Sequence, residues 1–339
     1  MTDMPANAVT LTLAEAEDLA ARVLAAHGCD AGNAAAVAAN MAAAERDEAR
    51  SHGLFRLPMH VRHLAEGVAN GRARPGPDRP APGLVTVEAD RAFAPVAHAA
   101  GLPVLAETAR AQGIAALAIR DTVHIAALWP EASALAEQGL VAIAVTSSPP
   151  YVAPAGGTRP FFGTNPMAFA WPREGRAPMV WDQASAASAR GEIMMAARAG
   201  HAVPEGVGID REGRPTTDPT AILEGGAQLA FGGYKGAAIA LMVDLLAGPL
   251  MDAPCSFESL PERPGLLVPG GELILAIDPA RLGGAAGLAR AERLFAAITA
   301  EEGARLPGDR RLAARARTER DGIRLDRGLH EEITALLPG

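Results

Sequence analysis

The stretch EARSHGLFRLPMHVRHL, residues 48–64, places three histidines and three arginines within seventeen residues of an otherwise alanine-rich chain. A guanidinium grips a carboxylate through two parallel hydrogen bonds. An imidazole gives or takes a proton near neutral pH. His52 and Arg56, one helical turn apart around a corner at Ser51–Gly53, therefore suit a site that holds a carboxylate and moves a proton. The same composition also suits a solvated basic helix face, and the stretch alone does not separate the two.

Five further stretches carry candidate groups. His124 in VHIAALW (123–129) follows an expected strand over 114–120, where layered α/β domains line ligand crevices. In APAGGTRPFFGTNP (153–166), Gly156, Gly157 and Gly163 permit close backbone approach, and Thr164 and Asn165 offer hydrogen bonds. Asp182 ends a strand in WDQASAASARGEI (181–193), ahead of Arg190, Gly191 and Glu192. FGGYKGAAIAL (231–241) is a Gly-rich turn opening a helix at Lys235, the one lysine of the chain, and such a helix start favours an anion. RLPGDRR (305–311) is a basic loop suited to phosphate. No GxGxxG follows a strand and no GxxxxGK[ST] occurs, so the usual dinucleotide and P-loop fingerprints are missing. No HExxH or carboxylate cluster points to a metal, and none is expected.

Around these residues, the chain of 339 residues is long enough for two or three domains or one large domain with an appendage. Its net charge of −8, without a basic tail, argues against nucleic acid or an anionic membrane as partner. The N-terminal residues show no basic leader followed by an apolar run. The longest apolar run, 236–250, is broken by Asp244 and is expected to be a buried helix. Cys29 and Cys255 form no CxxC pair, which makes the cytoplasm the natural compartment.

TLAE (12–15) has the form of a capping box and opens an amphipathic helix over 10–28, ended by Gly28. A second helix is expected over about 33–50, and a third after Gly53, with Leu57, Val61, Leu64 and Val68 on one face. The Pro/Gly tract 71–83 reads as a linker and boundary. Beyond it, short apolar runs at LVTVEA, IAALAIRD, LVAIAVTSS, NPMAFAWP and APMVWDQA alternate with helical stretches 94–112 and 127–138, the pattern of a layered α/β or α+β domain with a sheet. Helices are expected again at 186–200 and 234–250, and GGELILAIDP (270–279) returns as a buried strand.

The order of the motifs is more specific than any one of them. SHG…R, strand–His–IAAL, GTNP, Asp-x-Ala, RGEI, TTDP, GGYKG and RLPGDRR follow in the sequence found in the malate/L-lactate dehydrogenase family that lacks a Rossmann fold, which this chain resembles from about 10 to 325. Within it, HIAALWPE, ARGEI, CSFE and LPGDRR are most similar to the Δ1-piperideine-2-carboxylate/Δ1-pyrroline-2-carboxylate reductases. The chain departs from that pattern at Ile125 (usually Phe), Gln183 (usually apolar) and Glu192 (Asp in those reductases).

The resemblance implies a homodimeric oxidoreductase that takes NADPH, or NADH, and a small-molecule substrate. Its α/β fold would hold a non-Rossmann, mixed-sheet nicotinamide domain and a helical domain built from discontinuous segments. In this numbering that is 1–80 helical, 81–185 and 263–312 sheet, 186–262 helical, and 313–339 a C-terminal extension. Cofactor contacts would fall on His124, Ile125, Ala126, Ala127 and Leu128, and on Asp182, Gln183 and Ala184. Others would come from Tyr234 and Lys235, and from Arg305, Leu306, Pro307, Gly308, Asp309, Arg310 and Arg311. Substrate contacts would fall on Arg56, Thr164, Arg190 and Gly191, and a proton relay on Ser51, His52 and Glu192. The reaction implied is reduction of a cyclic imine carboxylate to L-proline or L-pipecolate. The alternative is an NAD(P)-dependent dehydrogenase of a 2-hydroxy acid such as malate, lactate or ureidoglycolate.

Overall fold

The computed structural model describes residues 8–260 and 265–338. A short strand β1 (Ala8–Leu11) precedes α1 (Leu13–Ala26) and α2 (Ala31–Arg46), and α3 (Leu57–Ala65) completes the first helical group. The expected capping box is present: Thr12 Oγ1 accepts the Glu15 amide while the Glu15 carboxylate accepts that of Thr12. The second helix stops four residues earlier than its pattern suggests, because Glu48 adopts a left-handed conformation.

The chain continues through β2 (Pro77–Ala81), β3 (Leu84–Glu88), α4 (Ala94–Gln112), β4 (Ile114–Thr122), α5 (Trp129–Ala136), β5 (Val141–Thr146), β6 (Met167–Trp171) and β7 (Met179–Gln183). Next come α6 (Arg190–Ala199), β8 (Gly208–Ile209), β9 (Pro215–Thr216), α7 (Pro219–Leu223), β10 (Ala227–Gln228) and α8 (Tyr234–Ala247). The last elements are β11 (Gly270–Ile277), α9 (Gly284–Thr299), α10 (Asp309–Asp321), β12 (Ile323–Asp326) and α11 (Arg327–Thr334).

Seven strands form one mixed sheet in the order β2-β3-β4-β11-β5-β6-β7. Only β3 and β4 run parallel; the other neighbours are antiparallel. The 71–83 tract is thus more than a linker, since it contains β2. Among the described residues that strand pairs only with β3, and an edge position tolerates the missing amides of Pro77 and Pro80.

The late strand β11 sits at the centre of the sheet, and its alternation assigns two faces. Ile274 and Ala276 join the main core beneath α4 and α5, whereas Leu273 and Leu275 face α8. Glu272 shares the parity of Ile274 and is therefore buried on the α4/α5 side. α8 departs from the expected buried helix. Ala237, Ala240, Val243 and Ala247 are buried, but Leu241, Met242 and Leu245 are exposed. The expected segment boundary at 262/263 and the first residues of the N-terminal reading lie outside the described residues.

Candidate active site

Two single 3₁₀ turns, Arg50–His52 and Leu54–Arg56, carry the chain around the expected corner. Gly53 is required there, because a Cβ would lie 2.2 Å from the Oε1 of Glu45. That carboxylate accepts the Leu54 amide at 2.8 Å, and burial pushes its pKa up to about 7. Ser51 is buried with its Oγ 3.2 Å from His52 Nδ1. Arg56 is buried too; its Nε donates to the Ser51 carbonyl at 2.7 Å, which fixes the plane of the guanidinium.

The other two histidines of the opening stretch are core residues. His60 Nδ1 meets the Arg56 carbonyl at 2.9 Å. His63 Nδ1 meets the Met59 carbonyl at 2.7 Å, and its Nε2 accepts the Leu267 amide at 2.7 Å. Accepting at Nε2 leaves the proton on Nδ1, so His63 is fully bonded in its neutral form.

The first turn of α6 approaches this corner. A Cβ on Gly191 would lie 2.6 Å from Arg56 Nη2 and 2.9 Å from Ser51 Cβ, so glycine is what lets the helix come this close. The preceding Arg190 lies over the Tyr151 ring, 4.0 Å from its centroid. Glu192, expected in the relay, is exposed and has no hydrogen bond to His52 among the described residues. Successive helix positions point about 100° apart, so Gly191 faces the corner while Glu192 lies exposed beside it, its charge still acting on Arg56.

These groups line a cavity of about 880 Å³. His52, Arg56, Arg190 and Gly191 border it, as do Thr164 and Tyr151. Burial, reinforced by Arg56, His124 and Arg311, draws the His52 pKa down to about 3. The ring is therefore neutral at physiological pH, the form that accepts or relays a proton. Arg56 and Arg190 have no carboxylate within 4.0 Å among the described residues.

A second wall is the loop His124, Ile125, Ala126, Ala127, Leu128 and Trp129. Asp182 at the end of β7 holds it, accepting the amides of Leu128 at 2.9 Å and Trp129 at 3.3 Å and so capping α5 from another strand. Gln183 and Ala184 extend this border. Arg311 stands over the Trp129 ring, 4.3 Å from its centroid, as a third guanidinium on the cavity.

The other residues expected on the cofactor are placed elsewhere. Tyr234 and Lys235 are exposed at the start of α8 and do not border the cavity. Arg305, Leu306, Pro307, Gly308, Asp309 and Arg310 stay outside it as well. Asp309 accepts the Leu306 amide at 2.8 Å, and Gly308 packs against the Val180 carbonyl. The loop is folded on itself and on β7, and Arg311 alone reaches the cavity. Asn165, offered as a ligand contact, is a core staple: its Nδ2 donates to the Ala240 carbonyl at 2.9 Å while Oδ1 accepts from Ser256 Oγ at 3.2 Å.

Sequence reasoning missed Tyr151, Met59 and Met194. The faint signal for Tyr151 was its place five residues past the end of a strand, in SSPPY. It also missed the surroundings of His124. His98, His124, Glu131 and Glu272 converge within 4.8 Å, so the stated lack of a carboxylate cluster is corrected. Spacings of 26, 7 and 141 residues (98, 124, 131, 272) carry no local pattern to read.

The family model described as malate/L-lactate dehydrogenase matches residues 11–334. A Δ1-pyrroline-2-carboxylate/Δ1-piperideine-2-carboxylate reductase of Pseudomonas aeruginosa is 49% identical over 97% of this chain and 99% of its own length. A Δ1-pyrroline-2-carboxylate reductase of Burkholderia multivorans is 47% identical over 98% and 99%. Among solved structures, the Δ1-piperideine-2-carboxylate reductase of Pseudomonas syringae pv. tomato superposes with a TM-score of 0.92 at 41% identity, covering 97% of this chain and 99% of that one. A family-model match spanning nearly all of the fold, with relatives at this identity over their full length, makes the chain an oxidoreductase of the malate/L-lactate dehydrogenase family.

Proposed function

We propose that this protein reduces a cyclic imine carboxylate, Δ1-pyrroline-2-carboxylate or Δ1-piperideine-2-carboxylate, with NADPH, giving L-proline or L-pipecolate. The observation that carries this reading is the pair Arg56, buried, and Arg190, half-buried, two guanidiniums on one cavity with no carboxylate within 4.0 Å among the described residues. Leaving such charges unpaired is costly unless a ligand anion completes them. The names of the relatives supply the substrate class.

In this reading Arg56, its Nε already committed to Ser51, presents its terminal nitrogens to the substrate carboxylate. Fixing that group fixes the neighbouring C2, and proximity then supplies much of the rate. Ser51 and neutral His52 form a short relay at the same corner. Arg56 and Arg190 both act on Tyr151, whose hydroxyl burial nonetheless holds above its ordinary pKa. It stays a hydrogen-bond donor at the substrate end.

The cavity also fits a nicotinamide cofactor. Its volume lies at the upper end of ordinary ligand pockets, and Arg311 adds a cation beside the apolar 125–129 wall. The His124–Leu128 loop, Asp182–Ala184 and Arg311 are the residues of this chain that would hold it. Bound there, it would supply the hydride. Preference for NADPH over NADH rests on the guanidinium of Arg311 meeting a 2′-phosphate.

We extend the proposal to a homodimer and a cytoplasmic location, the latter supported by two unpaired cysteines. The test is an absorbance assay at the nicotinamide band with each imine, and with pyruvate and oxaloacetate, under both cofactors. Turnover of an imine with NADPH is expected. Turnover confined to 2-keto acids would overturn the substrate, and equal kcat/KM with NADH would overturn the cofactor preference.

A further inference from the structure

Behind His124 lies a polar group that the foregoing reading does not use. His98 on α4, Glu131 on α5 and Glu272 on β11 are buried, and none of the three borders the cavity. His98 Nε2 is 2.6 Å from Glu272 Oε2, His124 Nε2 is 3.6 Å from the same oxygen, and His98 Nδ1 is 4.0 Å from Glu131 Oε2. Six buried side-chain atoms lack a hydrogen-bond partner among the described residues, and four of them are here: His124 Nε2, both oxygens of Glu131, and Glu272 Oε1. So dense a cluster of unmet polar atoms demands an account.

Protonation supplies it. Two ionised carboxylates facing each other in the core repel, and one of them takes a proton. Burial and the neighbouring charge of Glu272 push Glu131 well up, whereas the two imidazoles beside Glu272 hold that group down. A neutral Glu131 becomes a donor to Glu272, which satisfies an orphan on each side. Glu272 is left as a single anion between His98 and His124. A metal ion held by all four groups is a poorer account. Two ligands on one ion at about 2.1 Å sit roughly 3 Å or more apart, and the His98–Glu272 contact of 2.6 Å is a hydrogen bond.

We infer that Glu272 is the positioning carboxylate of His124, clamped by His98 and kept singly charged by a proton shared with Glu131. His124 is the one member that touches the cavity, so the unit acts on the reaction through that ring. The carboxylate, 3.6 Å from Nε2, draws the imidazole toward it and favours its cationic form over the neutral ring. Other titratable groups near the unit are His52, which borders the same cavity as His124 and feels its charge, and Asp182, which adds negative charge near Glu131. Neither replaces Glu272, whose carboxylate is the one within 4.0 Å of the His124 ring among the described residues, at 3.6 Å.

The inference rests on the imine-reductase reading, and two readouts keep the two apart. The first is kcat, KM and the pH–rate profile of purified wild type, Glu272→Gln, Glu272→Asp and Glu131→Gln with Δ1-pyrroline-2-carboxylate and NADPH. Glu272→Gln should lower kcat by about tenfold or more and move the histidine limb to lower pH, with little change in KM for NADPH. Glu272→Asp should recover part of the loss. Glu131→Gln, which mimics the protonated acid, should stay within about threefold of wild type with an unshifted profile. The second readout, 15N NMR of the histidine rings without substrate, should show the His124 titration moving down in Glu272→Gln only.

An unchanged profile and an unchanged His124 titration in Glu272→Gln would overturn the inference. So would Glu131→Gln as damaging as Glu272→Gln, or one divalent metal per chain in wild type that these variants lose. A wild type inactive on imines would sink the reductase reading, and the NMR titration would still decide the role of Glu272.

Discussion

At Arg56 the chemistry depends on which nitrogen is already in use. Its Nε is committed to the Ser51 carbonyl, so the guanidinium is fixed before any ligand arrives. Arg56→Lys loses both that anchor and the fork, and one charge-assisted hydrogen bond is worth about 1.5–3 kcal/mol. We expect kcat/KM to fall by about ten- to a hundredfold with the fold intact, checked by steady-state kinetics beside a melting curve. Gly191→Ala tests the same corner from α6, since its methyl would press on Arg56 Nη2. KM for the imine should rise while the KM for NADPH stays near wild type. A kcat/KM unaffected by either change would remove Arg56 from the substrate site. At this scale the sequence was half legible. It marked His52 and Arg56, but His60 and His63 have the same composition and bond back to carbonyls four residues earlier, which only coordinates distinguish.

Between elements, the cavity depends on contacts that cross from one strand or helix to another. Asp182 of β7 caps α5 and thereby pins the loop that begins at His124. Asp182→Ala should cost about 1 kcal/mol of stability, as losing a helix cap does, and should weaken NADPH binding in a fluorescence titration. Asp182→Asn keeps one acceptor and should be milder; unchanged affinity in both variants would separate the cap from the cofactor site. Glu45 makes the second crossing, from α2 to the corner. Its pKa is raised from 4.5 to about 7, so the folded state binds more protons than the unfolded one between those values. Its contribution to stability therefore falls as pH rises through that window and levels off above it. Glu45→Gln keeps an acceptor for the Leu54 amide and removes the charge, so its Tm relative to wild type should be higher at pH 8 than at pH 5. A difference independent of pH would contradict the assignment. Helix starts and strand runs were readable because capping and periodicity are local. The central place of β11 was not, because its partners β4 and β5 lie more than a hundred residues upstream. The group around Glu272 was hidden with it.

For the whole molecule, the open question is what covers α8. Apart from Lys235 and Asp244 the helix is apolar around its circumference, which normally means a fully buried element. Here one face packs on the sheet, while Leu241, Met242 and Leu245, at helical spacing, remain exposed, joined by Leu250 at 64% exposure. Composition made this helix look like core, and only the fold reveals that the protomer covers half of it. A membrane does not suit the remainder. The helix of 14 residues is about 21 Å long against a bilayer core of about 30 Å, and Asp244 in its last turn accepts the Ser256 amide inside the fold. The proposed homodimer would cover it, since an apolar stripe at i, i+1 and i+4 can pair with its own image about a two-fold axis. Leu241→Glu/Leu245→Glu should therefore shift a sedimenting dimer to monomer, with the secondary structure unchanged by circular dichroism. Burying two carboxylates against an apolar partner is far costlier than leaving them in water, so the shift should be nearly complete at micromolar protein. Activity then decides whether the pair is needed for function. A monomer with wild-type kcat would mean that the cavity of one chain is sufficient. A dimer that survives both glutamates would place the interface elsewhere and leave the stripe on α8 without a partner.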